Sequence, residues 1–211
     1  MEHFGIKVGV SEEDGVTLQI KFFPFRRGAD RTAYKVKTID PKNIWITGDF
    51  SDVDMFGWHE AIASGGYKLF ITEGEEDAAA LYQVLKNKAK GTKWENDDPA
   101  VVSLSSGSSS ARRDLARVAN VIRSTFKEVV LAFDMDEAGE KARQDALQVL
   151  PTARAAILPS KDANACLIEG REKALTNAVL FNADTPKNTR VVNALSLYQA
   201  AREQVPMGLS W

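Results

Sequence analysis

The sequence contains almost none of the residues that build disulfide frameworks or self-contained zinc sites. Of its 211 residues one is a cysteine, Cys166, and two are histidines, His3 and His59. An internal disulfide needs two cysteines, and a zinc ribbon needs four cysteine or histidine ligands close together. Both features are therefore excluded within this sequence, and the cysteine count favours a reducing, cytosolic setting.

Long apolar runs are missing as well, and so is the phosphate-binding motif of P-loop proteins. No stretch of about 18 consecutive apolar residues occurs, so the sequence predicts no membrane-spanning helix. The first residues lack the basic and then apolar plan of a secretory signal. Because no Gly-Lys-Ser or Gly-Lys-Thr is present, a P-loop nucleotide site is not expected.

The charge that is present is unevenly distributed. The net charge is −2, yet residues 21–48 contain seven lysines and arginines against two aspartates. The basic residues are Lys21, Arg26, Arg27, Arg31, Lys35, Lys37 and Lys42. Such a region suits contacts with the phosphates of a polynucleotide, although an ordinary solvated surface gives the same pattern.

The N-terminal third of the chain is predicted to be rich in β-strands. Alternating apolar and polar residues predict strands at 16–22 and 34–39, with the basic segment 24–31 as the hairpin loop between them. In the second strand, Lys35 and Lys37 fall on the same face, which is expected to be exposed. On that face they either bind phosphate or are simply solvated.

Beyond residue 66, strands and helices alternate. The predicted strands are 68–72, 100–104, 128–133 and 153–158, and the predicted helices are 75–88, 109–125, 137–149 and 171–184. This order predicts an α/β fold with a parallel sheet flanked by helices. We therefore expect a β-rich basic subdomain at 1–66, a catalytic α/β domain at 67–185 and a linker helix at 186–211.

Two acidic clusters stand directly after predicted strands. Glu73, Glu75 and Asp77 follow the first strand of the α/β part, and Asp134 and Asp136 follow the third. Ligands of open α/β sheets bind at the carboxyl ends of the strands, and Mg²⁺ prefers carboxylate oxygens together with substrate phosphate. Either cluster alone fits an acidic helix start or a solvated turn. Together they predict a Mg²⁺ site for phosphate chemistry.

A third acidic position, Asp162, follows the last predicted strand, with Lys161 beside it. Three carboxylate positions at neighbouring strand ends can hold two metal ions, or one metal ion and a general base.

A loop rich in serine and glycine lies between the second of these strands and its helix, and it leads to Arg112 and Arg113. Backbone N–H groups at such a helix start can hold an anion, for example the triphosphate of a nucleotide. Capping of the helix by serine explains the same residues equally well.

Taken together, these motifs resemble the topoisomerase–primase (Toprim) domain. The matching stretches are Thr72-Glu-Gly-Glu-Glu-Asp77, Phe133-Asp-Met-Asp-Glu-Ala-Gly139 and Lys161-Asp-Ala-Asn164. They are most similar to the primase half of the primase–helicases of T-odd, short-tailed phages, and the resemblance covers most of the chain. It implies a Rossmann-like parallel sheet preceded by a smaller β-rich subdomain.

The resemblance also implies roles for individual side chains. Glu73, Asp134 and Asp136 are expected to be catalytic, with Glu73 as general base or metal ligand. The ligands expected for Mg²⁺, or alternatively Mn²⁺, are Glu73, Asp134, Asp136 and Asp162, supported by the acidic residues Glu75 and Asp77. Contacts with nucleotide or template are expected from Lys35, Lys37, Arg112, Arg113 and Lys161.

The implied reaction is the synthesis of RNA primers for DNA replication. The 3′-hydroxyl of a ribonucleotide attacks the α-phosphate of an incoming ribonucleoside triphosphate, directed by a single-stranded DNA template. The implied partners are the helicase domain of the same parent protein and the replication polymerase, in the cytoplasm of an infected bacterial cell and with no membrane involved.

Two parts of the family pattern have no counterpart in these residues, namely the zinc ribbon that selects the template sequence and the helicase domain with its P-loop. We therefore expect an RNA-polymerase core cut from a longer protein. Two other functions stay open at this point. One is a Toprim nuclease with the same metal site, and the other is a non-catalytic module for assembly or single-stranded DNA binding in a replicative helicase.

Overall fold

The computed structural model describes residues 2–185, and their first part is an antiparallel sheet. After a short 3-10 turn at Glu2–Phe4, four strands pair in the order β1–β2–β3–β4. Their bounds are Lys7–Val10 for β1, Leu18–Arg27 for β2, Asp30–Thr38 for β3 and Ile44–Gly48 for β4. The linker helix predicted for 186–211 lies outside the described residues.

The second part is a parallel sheet flanked by helices, with the strand order β6–β5–β8–β9. The strands of this sheet are β5 Lys68–Thr72, β6 Ala100–Ser103, β8 Glu128–Ala132 and β9 Arg154–Ala155, and a short strand outside both sheets is β7 Ser105–Ser108. The helices are α1 Trp58–Ser64, α2 Glu75–Ala89, α3 Ala111–Thr125, α4 Glu137–Val149, α5 Ala163–Ile168 and α6 Glu172–Leu180. The predicted α/β fold is thus confirmed. No helix within residues 2–185 combines the length and the apolar content that crossing a bilayer requires.

Buried apolar side chains cover both faces of the parallel sheet. Successive strand residues point to opposite faces, so Leu69 and Leu131 pack with α1, α3 and α4. On the other face Phe70 packs with α2, α5 and α6, and the same buried cluster includes Phe23 and Phe25 of β2. The antiparallel sheet and the side of the parallel sheet that carries α2 therefore share one apolar core.

The prediction of a basic hairpin loop at 24–31 is wrong. Strand β2 continues to Arg27, and the chain turns at Gly28 and Ala29 before β3 begins. Proline lacks an N–H group and is confined to strand positions that need no donor on one side. Strand β1 pairs with β2 only as far as Phe22, so Pro24 has a neighbouring strand on one side alone.

The other elements of the α/β part begin and end close to their predicted bounds, with four exceptions. The helix predicted at 171–184 already ends at Leu180, and the short strand β7 lies within the predicted serine-rich loop. The strand predicted at 153–158 is only the two-residue edge strand β9, because the chain soon reaches Pro159 and turns towards the acidic motifs. Helix α5 was not predicted, because six residues are too few to show a helical period. Its N-cap is Asp162, which the sequence analysis interprets only as a metal ligand.

Candidate active site at the carboxyl ends of the parallel strands

The acidic motifs meet because the strands before them are neighbours. Strands β5 and β8 pair in parallel along their length, so Glu73 and Asp134 leave the sheet at the same edge. The segment after β9 reaches this edge through a backbone hydrogen bond, in which the N–H of Met135 donates to the carbonyl of Lys161 at 2.7 Å. Three acid-bearing segments therefore converge.

Three aspartates, which we call the aspartate cluster, form the centre of the site: Asp77, Asp134 and Asp162. Each offers a carboxylate oxygen, and these oxygens lie within 4.8 Å of one another. Backbone N–H groups hold two of the side chains, from Asn164 to Asp77 at 3.0 Å and from Ala165 to Asp162 at 2.6 Å. The arrangement suits a divalent cation, since hard cations bind converging carboxylate oxygens.

The aspartate cluster contains more negative charge than its surroundings compensate. Burial, together with the charges of Asp162 and Asp134, raises the pKa of Asp77 to about 7. Burial, together with the charges of Glu73, Asp162 and Asp136, raises the pKa of Asp134 to about 7. Near neutral pH these side chains therefore hold protons that a divalent cation would displace.

Two glycines allow the backbone to approach these aspartates closely. A Cβ at Gly74 would lie 2.8 Å from Oδ2 of Asp77, and a Cβ at Gly139 would lie 2.1 Å from the carbonyl oxygen of Asp134. The second distance is between a side chain and the backbone, so any larger residue there would move α4 away from β8. The glycines of both acidic motifs are thus explained by packing around the site.

Glu73 lies beside the aspartate cluster with one oxygen held and the other free. Its Oε1 accepts the N–H of Ser108 at 3.2 Å, while its Oε2 is buried without a hydrogen-bond partner. A buried acceptor without a partner costs free energy and calls for an explanation. A carboxylate oxygen in this position is suited to bind a cation or to accept a proton.

Asp136 differs from the other predicted ligands. Its side chain is exposed, and its Oδ1 accepts the N–H of Gly139 at 2.9 Å, which makes it the N-cap of α4. Its charge contributes to the raised pKa of Asp134. The structure thus places Asp136 next to the aspartate cluster, and it places Asp77, which the sequence analysis treats as a supporting acid, within it.

A second charged group, which we call the lysine cluster, joins β2 and β3 to the start of α2: Lys21, Lys35, Lys37, Glu75 and Glu76. Glu75 is buried and pairs with Lys35 and, at 2.9 Å, with Lys37. Glu76 pairs with Lys21 at 2.5 Å and with Lys37 at 3.4 Å. Burial opposes the charge of Lys37, but Glu75 and Glu76 outweigh it and raise the pKa of this lysine.

The prediction that Lys35 and Lys37 lie on an exposed face of β3 is therefore wrong. Only 13% of the Lys35 side chain and 14% of the Lys37 side chain are exposed, because this face of the antiparallel sheet packs against α2. Each ammonium group also lies over an aromatic ring, Lys35 over Phe25 and Lys37 over Phe23, at about 5 Å from the ring centre.

The loop rich in serine uses most of its backbone N–H groups internally. The donors that already have acceptors are Ser105, Ser106, Ser108 and Ser110. Fewer N–H groups are therefore free for an anion than the sequence suggests. Arg112 is exposed at the start of α3, whereas Arg113 donates to Asp114 at 3.1 Å. Lys161 is exposed, and its charge acts to lower the pKa of Asp134.

Asp114 is a further charged residue near the site that was not predicted from the sequence. This residue is buried in the first turn of α3 and accepts the N–H of Ser105 at 2.8 Å. A single acid at a helix start is common, so the sequence carries no signal that would distinguish it.

Comparison with known proteins gives consistent matches. A family model of the Toprim domain matches residues 68–161. The DNA helicase/primase of Enterobacteria phage T3 is 39% identical over 171 residues, which are 80% of this chain and 28% of that protein. The chain thus spans less than a third of the length of this curated relative.

Solved structures match as well. The primase fragment of the bacteriophage T7 primase–helicase has a TM-score of 0.68 and 33% identity, covering 84% of this chain and 68% of that chain. T7 primase domains with the lagging-strand DNA polymerase, an RNA/DNA hybrid and dTTP give a TM-score of 0.67 and 30% identity, covering 85% and 94%. The RNA polymerase domain of Mycobacterium tuberculosis primase, at 18% identity and a TM-score of 0.58, shares the fold.

Proposed function

Because this chain belongs to the Toprim primases of the kind found in phage primase–helicases, we propose that it is an RNA-polymerase core that synthesises primers on single-stranded DNA. As a nucleotidyltransferase, it joins the 3′-hydroxyl of one ribonucleotide to the α-phosphate of an incoming ribonucleoside triphosphate, and pyrophosphate leaves. The observation that carries this proposal is the aspartate cluster, whose uncompensated negative charge lies at one edge of the sheet beside Glu73.

The metal we propose for this site is Mg²⁺, with Mn²⁺ as a substitute. Asp77, Asp134 and Asp162 would hold it, since their converging oxygens and the raised pKa values of Asp77 and Asp134 fit a dication. A metal ion bound there supplies positive charge to the reacting phosphate and lowers the pKa of the attacking hydroxyl. Asp136, beside the cluster, adds negative charge and fixes the start of α4.

Glu73 is the residue proposed to accept the proton or to complete the metal site. Its partnerless Oε2 supports either role, because a buried oxygen without a donor gains most from a proton or a cation. The hydrogen bond from Ser108 to Oε1 keeps the carboxylate in one orientation.

The basic residues proposed to bind nucleotide or template are Lys35, Lys37, Arg112, Arg113 and Lys161. Lys35 and Lys37 are held in place by Glu75, so they present fixed positive charge rather than mobile surface charge. Arg112 and Lys161 are exposed and suit contacts with a polyanion.

The partners we propose follow from the relatives. A helicase domain in the same parent protein is suggested by the phage T3 helicase/primase, and contact with a replication polymerase by the T7 assembly. We also propose that the chain divides at residues 66 and 185. The antiparallel sheet would belong to the first subdomain, and the α/β part would be the catalytic domain.

Template-directed extension of a preformed diribonucleotide tests the proposal. The protein is incubated with single-stranded DNA, labelled ribonucleoside triphosphates and Mg²⁺, beside the variants Asp134→Asn and Asp97→Asn. Asp97 makes the matched control because it is exposed on the loop after α2. Extension by wild type and Asp97→Asn but not by Asp134→Asn supports the proposal. Degradation of the DNA would indicate a nuclease, and binding of DNA without any reaction would indicate a non-catalytic module.

A further inference from the structure

Ser105, the first residue of β7, is held at three points. Its N–H donates to Oδ2 of Asp114 at 2.8 Å, and its carbonyl accepts from Nζ of Lys35 at 2.8 Å. Its hydroxyl oxygen accepts from Arg113 at 2.9 Å. The start of the loop therefore joins the lysine cluster on one side to helix α3 on the other.

Asp114 is an unusual residue in this arrangement, because it is a carboxylate with only 3% of its surface exposed. Burying a charge is costly unless it is paired and hydrogen-bonded. Both oxygens are satisfied here, since Oδ2 accepts from Ser105 and Oδ1 accepts from Arg113. A buried charge with two specific partners has one favourable position, so it fixes the backbone that donates to it.

From Ser105 the loop reaches Glu73 within three residues. The N–H of Ser106 donates to the hydroxyl oxygen of Ser110 at 3.1 Å, and that hydroxyl donates to the carbonyl of Gly107 at 3.0 Å. The N–H of Ser108 then donates to Oε1 of Glu73 at 3.2 Å. The orientation of the Glu73 carboxylate thus depends on where the loop is held.

We propose that Asp114 is a positioning residue for the polymerase reaction, acting through the serine loop on Glu73. It touches no reacting atom. By fixing Ser105 it fixes Ser108, whose N–H holds Oε1 of Glu73 and so sets the orientation of the carboxylate that carries the partnerless Oε2. This inference rests on the proposed function, in which Glu73 takes part in the chemical step rather than in binding the nucleotide.

The experiment compares steady-state extension by Asp114→Ala, Ser110→Ala and Glu172→Ala with that of the wild type. Glu172 is the matched control, an exposed acid in the first turn of α6. We expect Asp114→Ala to lower kcat about 10-fold, a fraction of the about 100-fold loss that misplacement of a catalytic group by 1 Å can cause. The KM for nucleotide should change by less than kcat does, because Arg113, a proposed nucleotide contact, loses Asp114 as a partner but keeps its hydrogen bond to Ser105. Ser110→Ala should show the same pattern with a smaller loss.

Hydrogen exchange of the loop, measured on the same variants, separates positioning from loss of stability. The amides of 105–110 should exchange faster in Asp114→Ala, while β5 and β8 keep their protection. Unchanged kcat, unchanged loop exchange, or a fall in kcat that only follows the unfolded fraction would each overturn the inference. If the wild type shows no extension, the proposed function fails, and the exchange data still decide whether Asp114 holds the loop.

Discussion

Helix α2 begins with three acids that have opposite surroundings. Glu75 and Glu76 face the antiparallel sheet and pair with three lysines, whereas Asp77 faces Asp134 and Asp162. The lysines compensate the negative charges of Glu75 and Glu76. Burial raises the pKa of Glu76, but the hydrogen bonds and charges of Lys21 and Lys37 outweigh burial and lower it. Asp77 is not compensated, and its pKa is raised to about 7. Adjacent residues of one motif thus serve two purposes, one in holding the two sheets together and one in the candidate metal site.

The largest expected effect comes from removing an acid of the aspartate cluster. Asp134→Ala should reduce diribonucleotide extension at least about 1,000-fold, since charge stabilisation by a metal is worth several kcal/mol. Thermal unfolding should show an unchanged or slightly higher Tm, because repulsion within the cluster is relieved. Extension at the wild-type rate would show that this cluster is not the reaction centre.

Removing an acid of the lysine cluster should affect stability instead. Glu75→Ala leaves two largely buried lysines without their shared partner, which should cost about 3 kcal/mol and lower Tm by about 6–12 °C. Glu76→Ala is the matched control. Its side chain is partly exposed, so it should cost less than about 1 kcal/mol. If Glu75→Ala instead kept its Tm and lost metal affinity, the two groups would not be separate.

The dependence of stability on pH should differ between the two groups as well. For Asp77 and Asp134 the folded pKa, about 7, is above the 3.8 that is usual for an aspartate side chain in the unfolded chain, so the folded state binds more protons between these two pH values. Without metal, stability should therefore fall as pH rises from 4 towards 7.

Metal should reverse this trend. Mn²⁺ in excess should raise Tm by about 2–4 °C at pH 8 and by less at pH 5, where protons compete for the same oxygens. Differential scanning fluorimetry with Mn²⁺ and with chelator measures the Tm shift at each pH. Asp77→Asn should reduce the difference between the shift at pH 8 and the shift at pH 5. A larger shift at pH 5 would contradict the assignment.

The smallest effect is expected at Lys161, the exposed base beside the aspartate cluster. Lys161→Ala removes a charge that lowers the pKa of Asp134, so this pKa should rise slightly further. The pH dependence of Mn²⁺ binding, compared with that of the exposed control Lys173→Ala, reports the change. If the midpoint of the pH dependence of Mn²⁺ binding did not change, Lys161 would have no electrostatic effect on the aspartate cluster.

The parallel sheet could be predicted from sequence because its signals are local. Strand β5 and helix α4 begin and end as predicted, since apolar runs, glycines and Pro151 mark their limits. The convergence of Glu73, Asp134 and Asp162 followed from the rule that parallel strands end at the same edge.

The partners of the charged residues could not be predicted, because they depend on contacts distant in sequence. Lys35 and Glu75 are 40 residues apart, and nothing near either residue indicates that the antiparallel sheet packs on α2. The place of Asp77 within the aspartate cluster has the same origin, since the N–H of Asn164, at the start of α5, donates to its side chain. Ion pairs and hydrogen bonds between residues far apart in sequence therefore decide which acidic side chains are free to bind a cation.

The most direct test of this account is an anomalous difference map from crystals grown with Mn²⁺. We expect a strong peak between the carboxylates of Asp77, Asp134 and Asp162, and none at Glu75 or Glu76. A peak at Glu75 with none in the aspartate cluster would contradict the division between compensated and uncompensated acids on which the account depends.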